Sequence, residues 1–168
     1  GPDIFIQLAN HIIKRLTKPI YFLWVGGGNM CDFFEVMYDI KKLGLEGKVL
    51  FIGAKTNPYD YFAACDVFVL VSREDPFPIV CLEAAFFEKP IVCFDNSGGA
   101  KEFVEDDAGF VVPYLDIEAM GIKIIELLES SELRKRLGSR AKQKALERHD
   151  IELLAPRILN IIKKFLIC

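Results

Sequence analysis

Between Cys65 and Phe103 the chain reads CDVFVLVSREDPFPIVCLEAAFFEKPIVCFDNSGGAKEF. Two short apolar runs, Val67–Val71 and Ile91–Phe94, lack any polar alternation. Strands of that kind are covered on both faces, and only helices on either side of a parallel sheet do this economically. The segment between the runs supplies one such helix. Ile79–Phe87 carries a single charge, Glu83, among apolar residues, and Pro78 before it suits the first position of a helix. A carboxylate in that setting is costly to bury unless something hydrogen-bonds to it.

The rest of the chain repeats the same alternation of elements. Apolar residues at Ile4, Phe5, Leu8, Ile12, Ile13 and Leu16 predict a helix over Pro2–Leu16, with Asp3 as N-cap. Ile20–Val25 reads as a strand running into Gly26-Gly27-Gly28. A helix over Phe33–Leu43 and a strand over Val49–Ile52 closed by Gly53 follow. A short helix over Tyr59–Cys65 precedes the doubly buried strand Val67–Val71. Beyond Ile91–Phe94, a strand at Gly109–Val112 leads to helices over Ile117–Glu129, Glu132–Glu147 and Ile151–Leu166. The expected fold is therefore a doubly wound, Rossmann-like α/β domain without an internal boundary. Ligands of such sheets bind at the carboxyl ends of the strands. Four turns gather there: Gly26–Gly28, Gly53–Lys55, Ser72–Pro78 and Asp95–Gly99.

Composition excludes several function classes. The chain has 168 residues, 52% of them apolar, and a formal net charge of −3, so it has ample material for one core and is not disordered. Its Lys and Arg residues are scattered, with no basic block or aromatic-basic stripe, which argues against a nucleic-acid surface. Cys31, Cys65, Cys81, Cys93 and Cys168 are odd in number and form no C-x-x-C pair, the pattern of reduced thiols in a cytoplasmic protein. His11 and His149 are far apart, so no metal site is expected. No apolar run reaches the length of a membrane span.

The central text also has a family form. A strand ends at Ser72, seven residues separate Asp75 from Glu83, Glu88-Lys89-Pro90 leads into the next strand, and Gly98-Gly99 precedes Glu102. On these residues the chain resembles the C-terminal, donor-binding half of a GT-B fold glycosyltransferase, most like glycosyltransferase family 4, over essentially its whole length. The family's motif is E-x7-E. Here Asp75 stands for the first acid, with Glu74 as the alternative, and Pro76 replaces the usual glycine.

The resemblance implies an enzyme that transfers a glycosyl group, with retention, from a nucleotide-diphosphate sugar such as a UDP- or GDP-sugar, without a metal or other cofactor. Asp75 and Glu83 would be its catalytic acids, Asp75 on the donor sugar and Glu83 on the ribose hydroxyls. The backbone at Phe77, Pro78, Ile79 and Val80 would meet sugar and phosphate oxygens. Gly26, Gly27 and Gly28 would lie along the diphosphate, and Gly53, Ala54 and Lys55 along the base. The acceptor, a carbohydrate or lipid-linked sugar in polysaccharide or glycoconjugate assembly, would meet a separate N-terminal domain. The family's diphosphate-binding Arg and Lys precede the first helix and are absent here, so the chain alone is expected to be inactive. A cytoplasmic location, with peripheral contact to the inner face of the membrane, is the matching expectation.

Plainer readings stand beside these. Glu83 could be an internal ion-pair partner of Arg73 or Lys101, and Asp75 a turn residue before Pro76. Gly98-Gly99 could simply end a strand, and Glu102 could cap or pair locally. Phe86, Phe87, Phe94 and Phe103 read as core. Lys163-Lys164 beside Phe165 fits a membrane surface or a helix that packs on a second domain. Two other functions remain open: a non-catalytic α/β interaction module, and a glycoside hydrolase using Asp75 and Glu83 across roughly 5–10 Å.

Overall fold

A computed structural model describes residues 1–27 and 34–166. In chain order the elements are α1 (Pro2–Ile13), β1 (Phe22–Trp24), α2 (Phe34–Lys42), β2 (Val49–Phe51), α3 (Tyr59–Ala64), β3 (Phe68–Leu70) and α4 (Ile79–Phe86). They continue as β4 (Ile91–Phe94), α5 (Ala100–Val104), β5 (Gly109–Val112), α6 (Ile117–Glu129), α7 (Ser131–His149) and α8 (Ile151–Leu166). The α/β alternation is as expected, with one addition: the five-residue α5 directly follows the Gly98-Gly99 turn.

Local chemistry explains most boundaries. Asp116 caps α6 by accepting the Ala119 N–H at 2.8 Å, and Ser130 caps α7 by accepting that of Leu133 at 3.2 Å. The N-cap of α1 is Gly1, not Asp3. Asp3 lies inside the first turn and accepts a 3.0 Å hydrogen bond from Arg73, which holds its carboxyl down at about 2. Likewise Pro78 is the N-cap of α4 and Ile79 its first residue, so the expected boundary shifts by one position.

All strand pairings are parallel, but the strands form two sheets, β1–β2 and β3–β4–β5. The division falls between β1 and β3, where Tyr21–Val25 and Val67–Ser72 face each other across an open slot. This corrects the reading of Val67–Val71 as doubly buried. Phe68 and Val69 are only half-buried, because their strand is an edge, not a centre.

β4 is the true central strand, buried at all four positions. Its side chains alternate between two cores, as the two-residue period of a strand dictates. Val92 and Phe94 join Ile4, Leu8 and Ile12 of α1 and Met120 and Ile124 of α6. Ile91 and Cys93 join Cys81 and Ala85 of α4, Phe103 of α5 and Ala141 and Ala145 of α7. The first core extends to β1 and β2 through Phe5, whose ring meets Phe22, Trp24 and Phe51 edge-on. Burial pushes the Cys93 thiol up to about 12 and that of Cys81 higher still, so neither is reactive. Phe94 and Phe103 pack inside, whereas Phe87 is only half-buried, stacked on Tyr59 and Phe62, and Phe86 is 42% exposed, so neither of these two is a core residue.

One feature had no sequence signal. Lys144 on α7 is fully buried, and its Nζ donates to Asp107, to Glu105 at 2.9 Å and to the Val104 carbonyl. Arg148 and Arg140 complete the cluster, and the hydrogen bond from Arg148 leads in holding the Glu105 carboxyl near 2. In contrast, α8 lies on the outside, exposing Ile158, Ile161, Ile162 and Phe165. Among the described residues no helix is long and apolar enough to cross a membrane.

His11 fixes the contact between α1 and α6. Its ring lies where a Cβ on Gly121 would come within 2.6 Å, and its Nε2 is buried without a partner among the described residues. Burial, aided by Arg15, lowers its pKa, so the unfolded chain takes up the proton first. The contribution is intact above the ordinary histidine range and lost as pH falls through it. Melting temperature should therefore drop between pH 7.5 and 5.5, and His11→Leu should narrow that drop.

Candidate functional site

Helix α1 starts against the Val71 carbonyl, at the carboxyl end of β3, and returns the chain to the start of β1. β1 consequently runs in the same sense as β3, and the turns after β1, β2, β3 and β4 share one edge. Gly26 and Gly53 both have left-handed φ values, 115° and 70°, and the Gly26 N–H donates to the Gly53 carbonyl at 2.9 Å. The first two turns are thus joined through their backbones. Gly27 is also left-handed, at 114°; Gly28 lies outside the described residues. Ala54 and Lys55 are exposed beside Gly53.

The Ser72–Pro78 loop is held by the turn after β4. The Asp75 N–H donates to the Ser97 carbonyl at 2.8 Å, and the Gly99 N–H donates to the Pro76 carbonyl at 3.0 Å. The same Gly99 N–H also reaches the Asp75 carbonyl at 3.3 Å, and this contact together with the Asp75–Ser97 bond makes a one-residue parallel bridge between Asp75 and Gly98. The approach is so close that a Cβ on Gly98 would fall 1.8 Å from the Asp75 carbonyl oxygen, at a φ of 128°. Gly98 and Gly99 therefore do more than end a strand: they let the acidic loop lie directly on the sheet edge. Buried Ser97 anchors its own turn by donating to the Phe94 carbonyl at 2.9 Å.

From this loop the chain enters α4. Pro78 is buried, whereas Phe77, Ile79 and Val80 are exposed. Among the described residues the N–H groups of Phe77, Ile79 and Val80 have no backbone acceptor, leaving an open, electropositive first turn. Cys81, Ala84 and Ala85 point into the core. Helical periodicity puts Glu83 on the opposite side, one turn behind Ile79 and Val80. Glu83 is half-buried.

Both cations proposed as internal partners of Glu83 are engaged elsewhere. Arg73 pairs with Asp3, and Lys101 binds Asp95 at 2.7 Å. Among the described residues neither Glu83 nor half-buried Asp75 has a side-chain hydrogen bond or ion pair, and the same holds for exposed Glu74 and Glu102. The site thus offers free carboxylates next to free N–H groups, a combination suited to a ligand with hydroxyls and an anionic group. Phe77 backs the loop from below, its ring 5.3 Å from that of His149 at the end of α7. Sequence reasoning missed this aromatic support, and also the Asp75–Ser97 bridge, because neither partner is near in sequence.

Gly98→Ala tests the bridge. The new methyl must displace the Asp75 carbonyl, so the variant should lose about 1–3 kcal/mol of stability. In chemical-shift mapping the largest changes should fall at Asp75–Phe77 rather than along β4.

Comparison with known proteins agrees with this geometry. Residues 1–144 match the family described as glycosyl transferases group 1. The chain is 34% identical over 132 residues to N-acetylgalactosamine-N,N'-diacetylbacillosaminyl-diphospho-undecaprenol 4-alpha-N-acetylgalactosaminyltransferase of Campylobacter jejuni, covering 78% of this chain and 36% of that protein. It is 26% identical over 160 residues to poly(ribitol-phosphate) alpha-N-acetylglucosaminyltransferase of Staphylococcus aureus, covering 95% and 32%. Among solved structures, Anabaena Alr3699/HepE in complex with UDP-glucose superposes with a TM-score of 0.84 at 28% identity, over 98% of this chain and 45% of that one. The chain thus spans about a third of the length of these curated relatives. With the motif, the doubly wound topology and the family match in agreement, this chain belongs to the glycosyl transferases group 1 family and has the fold of a GT-B C-terminal half.

Proposed function

We propose that this chain is the donor-binding half of a retaining glycosyltransferase that uses a nucleotide-diphosphate sugar. Its acceptor is a carbohydrate or a lipid-linked sugar, met by a second domain, in polysaccharide or glycoconjugate assembly. The observation that carries the reading is Glu83: a half-buried carboxylate without a partner, one turn behind the open N–H groups of α4. A carboxylate so placed accepts from a pair of ribose hydroxyls, while the first turn of α4 faces an anion.

The remaining roles follow from position. Asp75, pinned through its backbone to Ser97, keeps its side chain free for the donor-sugar hydroxyls. Left-handed Gly26 and Gly27 bring backbone close to the diphosphate without a Cβ in the way. Gly53, Ala54 and Lys55 sit alongside, where the base would lie. The chemical demand is charge on the departing diphosphate, and fixed N–H dipoles meet that demand without reorganising. The relatives' names point the same way, one to a diphospho-undecaprenol acceptor and one solved structure to UDP-glucose. The reading as a bare interaction module gives no reason for an unpaired acid behind an open helix start.

A thermal-shift panel of UDP, GDP, ADP and their sugars tests the assignment. At a hundredfold excess over Kd, a true donor should raise the melting temperature by roughly 5–10 °C. Glu83→Ala should weaken that nucleotide about 10- to 100-fold, the worth of a charge-assisted hydrogen bond. If no nucleotide shifts the unmodified chain, the assignment fails.

Catalysis should need the second domain. The isolated chain should show no transfer from UDP-sugar to any acceptor glycan, followed by release of labelled UDP, even where it binds the donor. Turnover by the isolated chain would contradict this division of labour.

A further inference from the structure

We infer that His149 is a positioning residue for the acidic loop: wedged between Phe77 and Phe103, it holds the Phe77 ring against the start of α5 and so sets both Asp75 and the open first turn of α4. This role rests on the donor-site reading above and adds to it a side chain set back from the ligand groups. The His149 ring lies 5.3 Å from that of Phe77, tilted by 40°, and 5.6 Å from that of Phe103, at 63°. Both separations fall in the range over which aromatic pairs attract.

The sequence of α7 puts the ring there. Ala141, Ala145 and His149 recur every four residues, so they share one helical face, and the two alanines pack in the core with Phe103. The end of that helix is fixed to the turn between α5 and β5. Arg148 donates to Glu105 at 2.7 Å, Lys144 to Glu105 at 2.9 Å, and Arg140 to Asp107 at 2.7 Å. His149 is the last residue of α7, and Asp150 leaves the helix with a ψ of 128°. The charge cluster therefore gives the imidazole a firm base beside α5.

What the ring supports is Phe77. Phe103 is 2% exposed and belongs to the second core, whereas Phe77 is 39% exposed and joins neither core. The Phe77 ring rests on Gly99, where a Cβ would come within 2.7 Å of its Cδ2, and on His149. Among the described residues neither ring nitrogen of His149 has a hydrogen-bond partner. Burial, then the neighbouring Arg148, lowers its pKa, so at neutral pH the ring is uncharged and acts by packing.

Pro76 and Pro78 make this support reach the site. They flank Phe77, fixing their own φ and restricting Phe77 to extended backbone. Phe77 thus moves only with its neighbours: Asp75 two residues before it, and the Ile79 N–H two residues after. A ring held in place seats the whole segment, including the Asp75–Ser97 and Gly99–Pro76 bonds of 2.8 and 3.0 Å. Without His149 those main-chain contacts hold the loop alone.

Amide hydrogen exchange and nucleotide affinity, measured on this chain and on His149→Ala, test the role. The Asp75 and Gly99 N–H groups should exchange about 10-fold faster in the variant. Those of Ile91 and Asp95, which donate to the Ala108 and Val112 carbonyls, should be unchanged. Affinity for whichever of UDP, GDP and ADP binds should fall about 5- to 10-fold, and His149→Phe should restore it to within about twofold, since an aromatic ring suffices. In a chain already carrying Phe77→Ala, His149→Ala should add nothing, because it acts through that ring. Acceleration shared by Ile91 and Asp95 would mark a residue that only stabilises the fold and would overturn the role; so would independent effects of the two substitutions. Nucleotide binding that His149→Ala leaves untouched overturns this role alone. A chain that binds none of the three nucleotides overturns the donor reading, and this role with it.

Discussion

The structure depends on β4 being covered from both sides. Ile91–Phe94 is wholly buried, and its alternating side chains bind the α1–α6 layer to one face and the α4–α5–α7 layer to the other. That arrangement fixes where β4 ends, and the candidate site is built from that end. The turn after Phe94 carries Ser97 and Gly98, which hold the loop bearing Asp75. The loop in turn delivers Pro78 to the start of α4, whose first turn and Glu83 complete the candidate site. A buried strand thus aligns two acids that it never touches.

The site is built more from backbone than from side chains. Gly26 bonded to Gly53, Asp75 to Ser97, and Gly99 to Pro76 are all main-chain contacts. Among the described residues this leaves the two carboxylates and the first-turn N–H groups unspent. The charged residues that could have neutralised Glu83 are occupied in their own pairs, Arg73 with Asp3 and Lys101 with Asp95. Structural ion pairs and the carboxylates of the candidate site are thereby kept apart within a few residues of each other.

Much of this was legible in the sequence, for definite reasons. The unbroken apolar runs announced β3, β4 and α4, and Asp75 with Glu83 stood out because charge is rare there. What was not legible depends on distant partners. Glycine at 98 looks like any strand terminator until the Asp75 carbonyl is placed against it. Lys144 sits in a highly charged helix, and its burial requires Glu105 and Asp107, 39 and 37 residues earlier. Helix α5 is too short to show periodicity. Phe86 reads as core in an apolar helix, yet falls on its outer side. The division into two sheets was hidden for another reason: a pattern reveals each strand by itself but not which strands pair.

Trp24 acquires a use from its position. It is the chain's single tryptophan, stacked on Phe51 with ring centroids 5.4 Å apart, at the wall of the slot between β1 and β3. Indole emission responds to the polarity and water content of its surroundings. The protein therefore carries a built-in optical reporter, which signals how well water is kept from the aromatic cluster joining α1, β1 and β2.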